Sequence, residues 1–131
     1  MATIKTFEEL ESWQLARRLA AEVYVLSAAR TFDADRHLRD QLRRAAVSVM
    51  ANVTEGFERG GRREFVHFLS QAGGSLGELR SHLYVALDAG LVAEADFLRL
   101  QADAKTVGRL LGGLRRYLQA SKVAGSKFRS G

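Results

Sequence analysis

Three features of the sequence predict an all-α fold, built as an antiparallel up-down-up-down four-helix bundle. The 131 residues include no proline and are rich in Ala, Leu, Arg and Glu, so the strongest helix breaker is missing and good helix formers run throughout. Apolar residues recur three and four positions apart in four long stretches, the period of a helix with one buried face. The connections between those stretches are short, and short links make consecutive helices run in opposite directions. A chain of this length with 47% hydrophobic residues fits one domain with an ample core. Residues 1–123 are assigned to the bundle, and 124–131, Ala-Gly-Ser-Lys-Phe-Arg-Ser-Gly, to a flexible basic tail.

The first helix is expected from Thr6 or Phe7 to Ala29, with Leu10, Trp13, Ala16, Leu19, Ala20, Val23 and Leu26 inward and Glu8, Glu9 and Glu11 at its positive end. Asp33 and Asp35 are candidate caps for a second helix that continues to Glu55 or Phe57 and that Gly56 closes. Within it Leu42, Ala45, Val49 and Val53 fall on one face and Gln41, Arg44, Ser48, Asn52 and Glu55 on another, so a core-facing stripe is matched by a continuous polar one. Gly60-Gly61 breaks the chain. Arg62 to Ala89 then reads as a third helix, with Phe65, Phe68, Leu69, Ala72, Leu76, Leu79, Leu83, Ala86 and Leu87 inward and Gly90 as its stop. The fourth, Glu94 to Ser121, repeats Phe97, Leu100, Ala104, Val107, Leu111, Leu114 and Leu118 as a sustained heptad seam. Gly73, Gly74 and Gly77 lie inside the third helix, where each costs about 0.5–1 kcal/mol relative to alanine. Close backbone approach between helices would offset that cost; a subunit contact or a ligand against bare backbone is the alternative.

Composition narrows the function classes. With no cysteine, disulfides and thiolate chemistry are excluded, and a metal would need His, Asp and Glu ligands. The first residues have no apolar signal core and no segment has the roughly 18 apolar residues that span a bilayer, so a soluble cytoplasmic protein without a membrane partner is expected. The formal net charge is +5. After Asp103 there is no acidic residue, while Lys105, Arg109, Arg115, Arg116, Lys122, Lys127 and Arg129 are all basic, an arrangement suited to an anionic partner.

Five short blocks carry a family resemblance: Leu10-x-x-Trp13-Gln14-x-Ala16, Gln41-Leu-Arg-Arg-Ala-Ala-Val-Ser48, Asn52-Val-Thr-Glu55-Gly56, Glu64-Phe65-x-x-Phe68-Leu69 and Gly74-Ser75-Leu76-x-Glu78-Leu79. Over about residues 7–120 the chain resembles the four-helix-bundle proteins encoded within intervening sequences of bacterial 23S ribosomal RNA genes. That resemblance implies a four-helix protomer in a ring-shaped homopentamer, and a more distant likeness to the nucleic-acid-binding accessory protein of diversity-generating retroelements. It does not imply a ribosomal subunit protein. Met50 stands where relatives often carry proline, which implies a straighter second helix.

Candidate sites follow. Gly56-Phe-Glu-Arg59-Gly-Gly-Arg62-Arg63 sets three arginines and a glycine pair at a helix start, where free N–H groups and the macrodipole favour an anion. A solvated connection is the plainer reading, and without a Gly-Lys-Ser/Thr ending it is no nucleotide-hydrolysing loop. Arg109, Arg115, Arg116 and Lys122, with Tyr117 among them, suit a phosphate backbone with an aromatic for a base, or a solvated charged face. Gln41, Arg44, Ser48, Asn52 and Glu55, helped by Glu78, are expected to fix helix register or join subunits. Glu64-x-x-His67 has the spacing of a carboxylate-bridged metal helix but lacks its second copy, and His37, His67 and His82 are scattered, so neither metal nor cofactor is expected. No nucleophile accompanies Asn52 and Glu55. The sequence therefore points to a non-enzymatic oligomeric accessory protein that binds nucleic acid, RNA rather than DNA. The alternative is a structural or protein-interaction scaffold without nucleic-acid binding.

Overall fold

The computed structural model describes residues 3–120. Four helices, α1 (Glu11–Ser27), α2 (Arg36–Arg59), α3 (Arg62–Asp88) and α4 (Glu94–Ala120), account for nearly all of it, and no strand occurs among the described residues. Each helix packs on its neighbour in sequence, and α1 closes against α4. The core is continuous. It runs through Leu19 and Val23 of α1, Leu42, Val49 and Phe57 of α2, Phe65, Leu79 and Leu83 of α3, and Leu100 and Leu118 of α4. Trp13, Leu26, Phe68, Leu87 and Leu114, expected inward, are only half-buried at its margin. The tail assigned to 124–131 lies outside the described residues.

Helix ends differ from the sequence expectation where local chemistry intervenes. The first helix does not start at Phe7: Phe7–Glu9 form a 3₁₀ turn, Leu10 is extended and buried, and α1 begins at Glu11. Its end falls at Ser27, after which Arg30–Ala34 wind as a second 3₁₀ turn that drives Phe32 into the core with no exposed surface. Of the two candidate caps, Asp35 takes the role, accepting from the Leu38 N–H at 2.9 Å. Asp33 instead accepts from Arg39 Nη2 at 2.8 Å. At the other end of α2, Gly60 adopts the left-handed conformation (φ 84°) that halts the helix, so α2 runs past Gly56 to Arg59. Gly90 (φ 75°) ends α3 in a Schellman motif, with the Leu91 N–H on the Ala86 carbonyl and the Gly90 N–H on that of Leu87.

Polar groups on one helix finish the ends and seams of another. Arg39 Nε donates to the Ser27 carbonyl at 2.8 Å and its Nη2 to that of Ala29 at 3.3 Å, satisfying carbonyls that the end of α1 leaves open. Arg43 adds a bond from Nε to Ser27 Oγ at 2.8 Å and stacks its guanidinium 4.5 Å from the Tyr24 ring centre. Between α3 and α4, the buried Gln101 is held at both ends of its amide: Oε1 accepts from Arg80 Nε at 2.8 Å and Nε2 donates to the Arg80 carbonyl at 2.9 Å.

The close approach expected at Gly73, Gly74 and Gly77 does not occur among the described residues. All three are exposed, and a Cβ on any of them would meet no atom within 4 Å. The tight glycine is Gly56, where a Cβ would lie 2.8 Å from both Phe65 Cδ1 and Phe68 Cβ. That glycine was expected to end α2; it instead lets α2 and α3 close onto each other.

Gly56→Ala is therefore expected to lower stability by about 1–3 kcal/mol through overpacking, whereas Gly74→Ala is expected to raise it by about 0.5–1 kcal/mol. Thermal unfolding followed by circular dichroism reads both. A stabilised Gly56→Ala variant would contradict the close approach.

Candidate nucleic-acid interface

The arginines between α2 and α3 are not gathered into one anion site. Arg59 is committed to carboxylates, with Nε 2.8 Å from Glu55 Oε2 and Nη1 3.2 Å from Glu64 Oε2, and its guanidinium lies 5.2 Å from the Phe68 ring centre. The Glu55 hydrogen bond, foremost, pushes its pKa up. Arg62 donates from Nη1 to the Leu118 carbonyl at 3.0 Å, so it serves the end of α4. Arg63 is exposed.

A different cluster forms on the outside of α3 and α4. Gly73, Leu76 and Gly77 of α3 and Ala104 and Gly108 of α4 form the floor of an open groove of about 530 Å³, rimmed by Arg80, Lys105 and Arg109. None of its lining residues is acidic. From Ala104 to Ala120 α4 carries Lys105, Arg109, Arg115 and Arg116 and no acidic residue. Arg115 Nη1 reaches Ser70 Oγ at 3.4 Å across the same seam, and Arg109 Nη2 donates to Thr106 Oγ1 at 3.0 Å, so both keep further donors for a ligand. At Gly108 the two helices approach closely, since a Cβ there would lie 3.3 Å from Leu76 Cδ2. Lys122 lies outside the described residues. Sequence reading missed Arg80, which stands on α3 far from the basic run. Its signal was its place one turn after Gly77, on the face opened by the glycines.

The polar stripe of α2 divides into three parts. Ser48 Oγ meets Ser75 Oγ of α3 at 2.8 Å, and Asn52 Nδ2 donates to the Ser48 carbonyl at 2.9 Å and to its Oγ at 3.1 Å, which ties α2 to α3. Arg44 donates to Gln41 within α2, and Glu55 is taken by Arg59. Glu78 is exposed on α3 and stands outside this network. Glu64 and His67 are also separated in role, since Glu64 faces Arg59 and His67 lies 3.2 Å from Gln71 Nε2. Among the described residues no three of His, Cys, Asp or Glu are grouped as metal ligands.

A second electrostatic feature lies at the α1–α4 seam. Glu22 and Asp103 line a cavity of about 190 Å³ with Arg18 and Thr106. Arg99 Nη1 is 3.4 Å from Glu22 Oε1, while Glu22 Oε2 is buried without a donor. Burial, and then the neighbouring Asp103 carboxyl, push the Glu22 pKa above its ordinary value of 4.5; Arg99 and Arg18 pull the other way.

Fold and surface together define a small, basic four-helix protein with an open, glycine-floored groove rimmed by cations. The chain belongs to the 23S rRNA-intervening sequence protein family, whose model matches residues 8–113. Its fold is similar to the crystal structure of a protein of unknown function from the S23 ribosomal protein family of Bacteroides thetaiotaomicron, with a TM-score of 0.72 at 16% identity, covering 80% of this chain and 98% of that one. Among curated proteins none matches significantly. No helix among the described residues is long and apolar enough to cross a membrane.

Because the folded chain raises the Glu22 pKa, Glu22 binds its proton more tightly folded than unfolded. Its favourable contribution is complete below pH 4.5 and is lost as pH rises through the folded value. Glu22→Gln is therefore expected to unfold at a higher temperature than the parent at pH 7, with the gap closing on acidification. An equal or lower melting temperature at pH 7 would contradict this.

Proposed function

We propose that this protein is a non-enzymatic, homo-oligomeric accessory protein of the cytoplasm that binds nucleic acid, RNA in preference to DNA, through the basic α3–α4 face. The observation that carries the reading is the open groove rimmed by Arg80, Lys105 and Arg109, with no acidic lining residue and with Arg115 and Arg116 farther along α4. Cations without competing carboxylates bind a phosphate backbone by releasing its counterions, independently of sequence. Arg59 and Arg62 take structural roles in this reading, and Arg63 adds one exposed charge at the end of the bundle.

The helices are taken to run up-down-up-down, in keeping with pairs that oppose along neighbouring helices: Ser48 with Ser75 and Arg59 with Glu64 on α2 and α3, Arg80 with Gln101 and Ser70 with Arg115 on α3 and α4. Five such protomers form the ring. The stripe on α2 and α3 offers both signs of charge for subunit contacts, in Arg44, Glu55 and Glu78. Assembly multiplies individually weak phosphate contacts. A second reading, a scaffold that docks proteins, draws on the bare backbone at Gly73, Gly74 and Gly77, whose helical cost is offset by no contact among the described residues.

Light-scattering mass across a salt series, with a structured RNA of mixed sequence added in parallel, separates the two. The expected result is a stable mass of about five chains that takes up RNA at low salt and releases it steeply as salt rises. A stable oligomer indifferent to RNA would establish the scaffold instead. Replacing Lys105, Arg109 and Arg116 by Gln is expected to leave the mass unchanged, weaken RNA binding, and flatten its logarithmic salt slope by about 0.7 for each contact removed on a single strand.

A further inference from the structure

The α3–α4 groove does not end in charge. One turn beyond Arg80, on the same face of α3, Tyr84 is 52% exposed, and Leu98 on α4 is 59% exposed. These are among the most exposed large apolar side chains in the described chain. The Tyr84 ring meets Phe97 edge to face at 4.8 Å and 70°. The contact fixes the ring orientation against the core and leaves Tyr84 a solvent-facing surface. Arg80 is fixed equally well, since Gln101 holds its Nε at 2.8 Å. A cation and an aromatic, both anchored by buried partners, thus stand about 6 Å apart along one helix.

We propose that the Tyr84 end of the groove is a stacking platform for an unpaired base, which makes the preferred ligand single-stranded nucleic acid. The proposal rests on the nucleic-acid reading of the same groove. Arg80 and Lys105 hold the phosphates, and the base next to them lies on the Tyr84 ring with Leu98 beside it. Only an unpaired base can do this, because bases in a duplex are stacked on one another and turn their edges, not their faces, outward. Gly77 at the floor lets the sugar–phosphate chain pass close to the α3 backbone, since it carries no Cβ and a Cβ there would meet no atom within 4 Å. Stacking on an aromatic is tolerant of sequence, so no base preference is required.

The test is fluorescence anisotropy with an end-labelled single-stranded RNA of mixed sequence and with a blunt-ended, fully paired RNA duplex of matching length. Tyr84→Leu retains an apolar contact for Phe97 but removes the aromatic face. It is expected to weaken single-strand binding roughly 5- to 160-fold, from the 1–3 kcal/mol of a stacked base, with the duplex affinity unmoved. Tyr84→Phe should bind as the parent does. Tyr24→Leu, which alters an exposed tyrosine on α1, should bind like the parent. If Tyr84→Leu binds single strands normally, or loses both ligands equally, the stacking platform is overturned while the basic groove stands. If the parent binds neither RNA, the nucleic-acid reading itself fails.

Discussion

The absence of a side chain at Gly56 is the constraint on which the packing of α2 and α3 depends. A single methyl group there would sit 2.8 Å from atoms of both Phe65 and Phe68, so the two helices reach their present separation only with glycine. At that separation Phe57 and Phe65 meet edge to face with ring centres 6.0 Å apart, and both are fully buried. The same separation lets short side chains bridge the seam. Ser48 and Ser75 share a 2.8 Å hydrogen bond, and hydroxyls on one-carbon stems do not span a wider gap. One missing methyl group therefore decides both the aromatic contact at one end of the seam and the polar contact in its middle.

The cations divide into those that complete the fold and those that do not. A helix leaves its last carbonyls without partners, and in a chain made almost wholly of helices these accumulate at the ends of the bundle. Arg39 and Arg43 answer that need for α1, and Arg62 for α4. Arg59 is spent between Glu55 and Glu64. Among the cations left outside such ion pairs are Arg80, Lys105 and Arg109 on the outer seam of α3 and α4, where no lining carboxylate competes for them. Net charge alone does not distinguish these groups. The relevant quantity is the charge left after helix ends and ion pairs are satisfied.

Periodicity made α3 and the start of α4 legible almost to the residue, because both helices are long and uniformly amphipathic and begin or end at glycines or acidic residues; the expected end of α4 at Ser121 lies outside the described residues. Sequence reading lost accuracy where a residue's role depends on a partner distant in sequence. Gly56 and Gly60 look alike in the sequence, yet Gly60 takes a positive φ and ends the helix while Gly56 stays helical against two phenylalanines. Phe32 sits among polar residues without helical period, so its burial depended on a 3₁₀ turn that the pattern did not reveal. The arginines were the hardest to assign. Their long side chains reach carbonyls 10 to 56 positions away, and spacing along the chain says nothing about such contacts.

The glycines of α3 join the energetics to the surface. Gly73, Gly74 and Gly77 each weaken the helix by about 0.5–1 kcal/mol relative to alanine, and no contact among the described residues offsets this, since their surroundings are open. Alanine would fit at all three positions by space alone. Glycine at these positions leaves the α3 backbone open to solvent. The positions are not random on the helix: Gly73 and Gly77, one turn apart, open onto the groove whose rim carries Arg80, Lys105 and Arg109. Under the nucleic-acid reading the two features answer one requirement, because Coulomb attraction grows as the separation shrinks and a floor without side chains lets a phosphate chain settle between the cations. Under the scaffold reading the same bare backbone admits a partner helix, and the cations then require that helix to carry acidic residues along its flanks. Either occupant must be anionic, and it must be thin enough to use a floor from which every Cβ at Gly73 and Gly77 is absent.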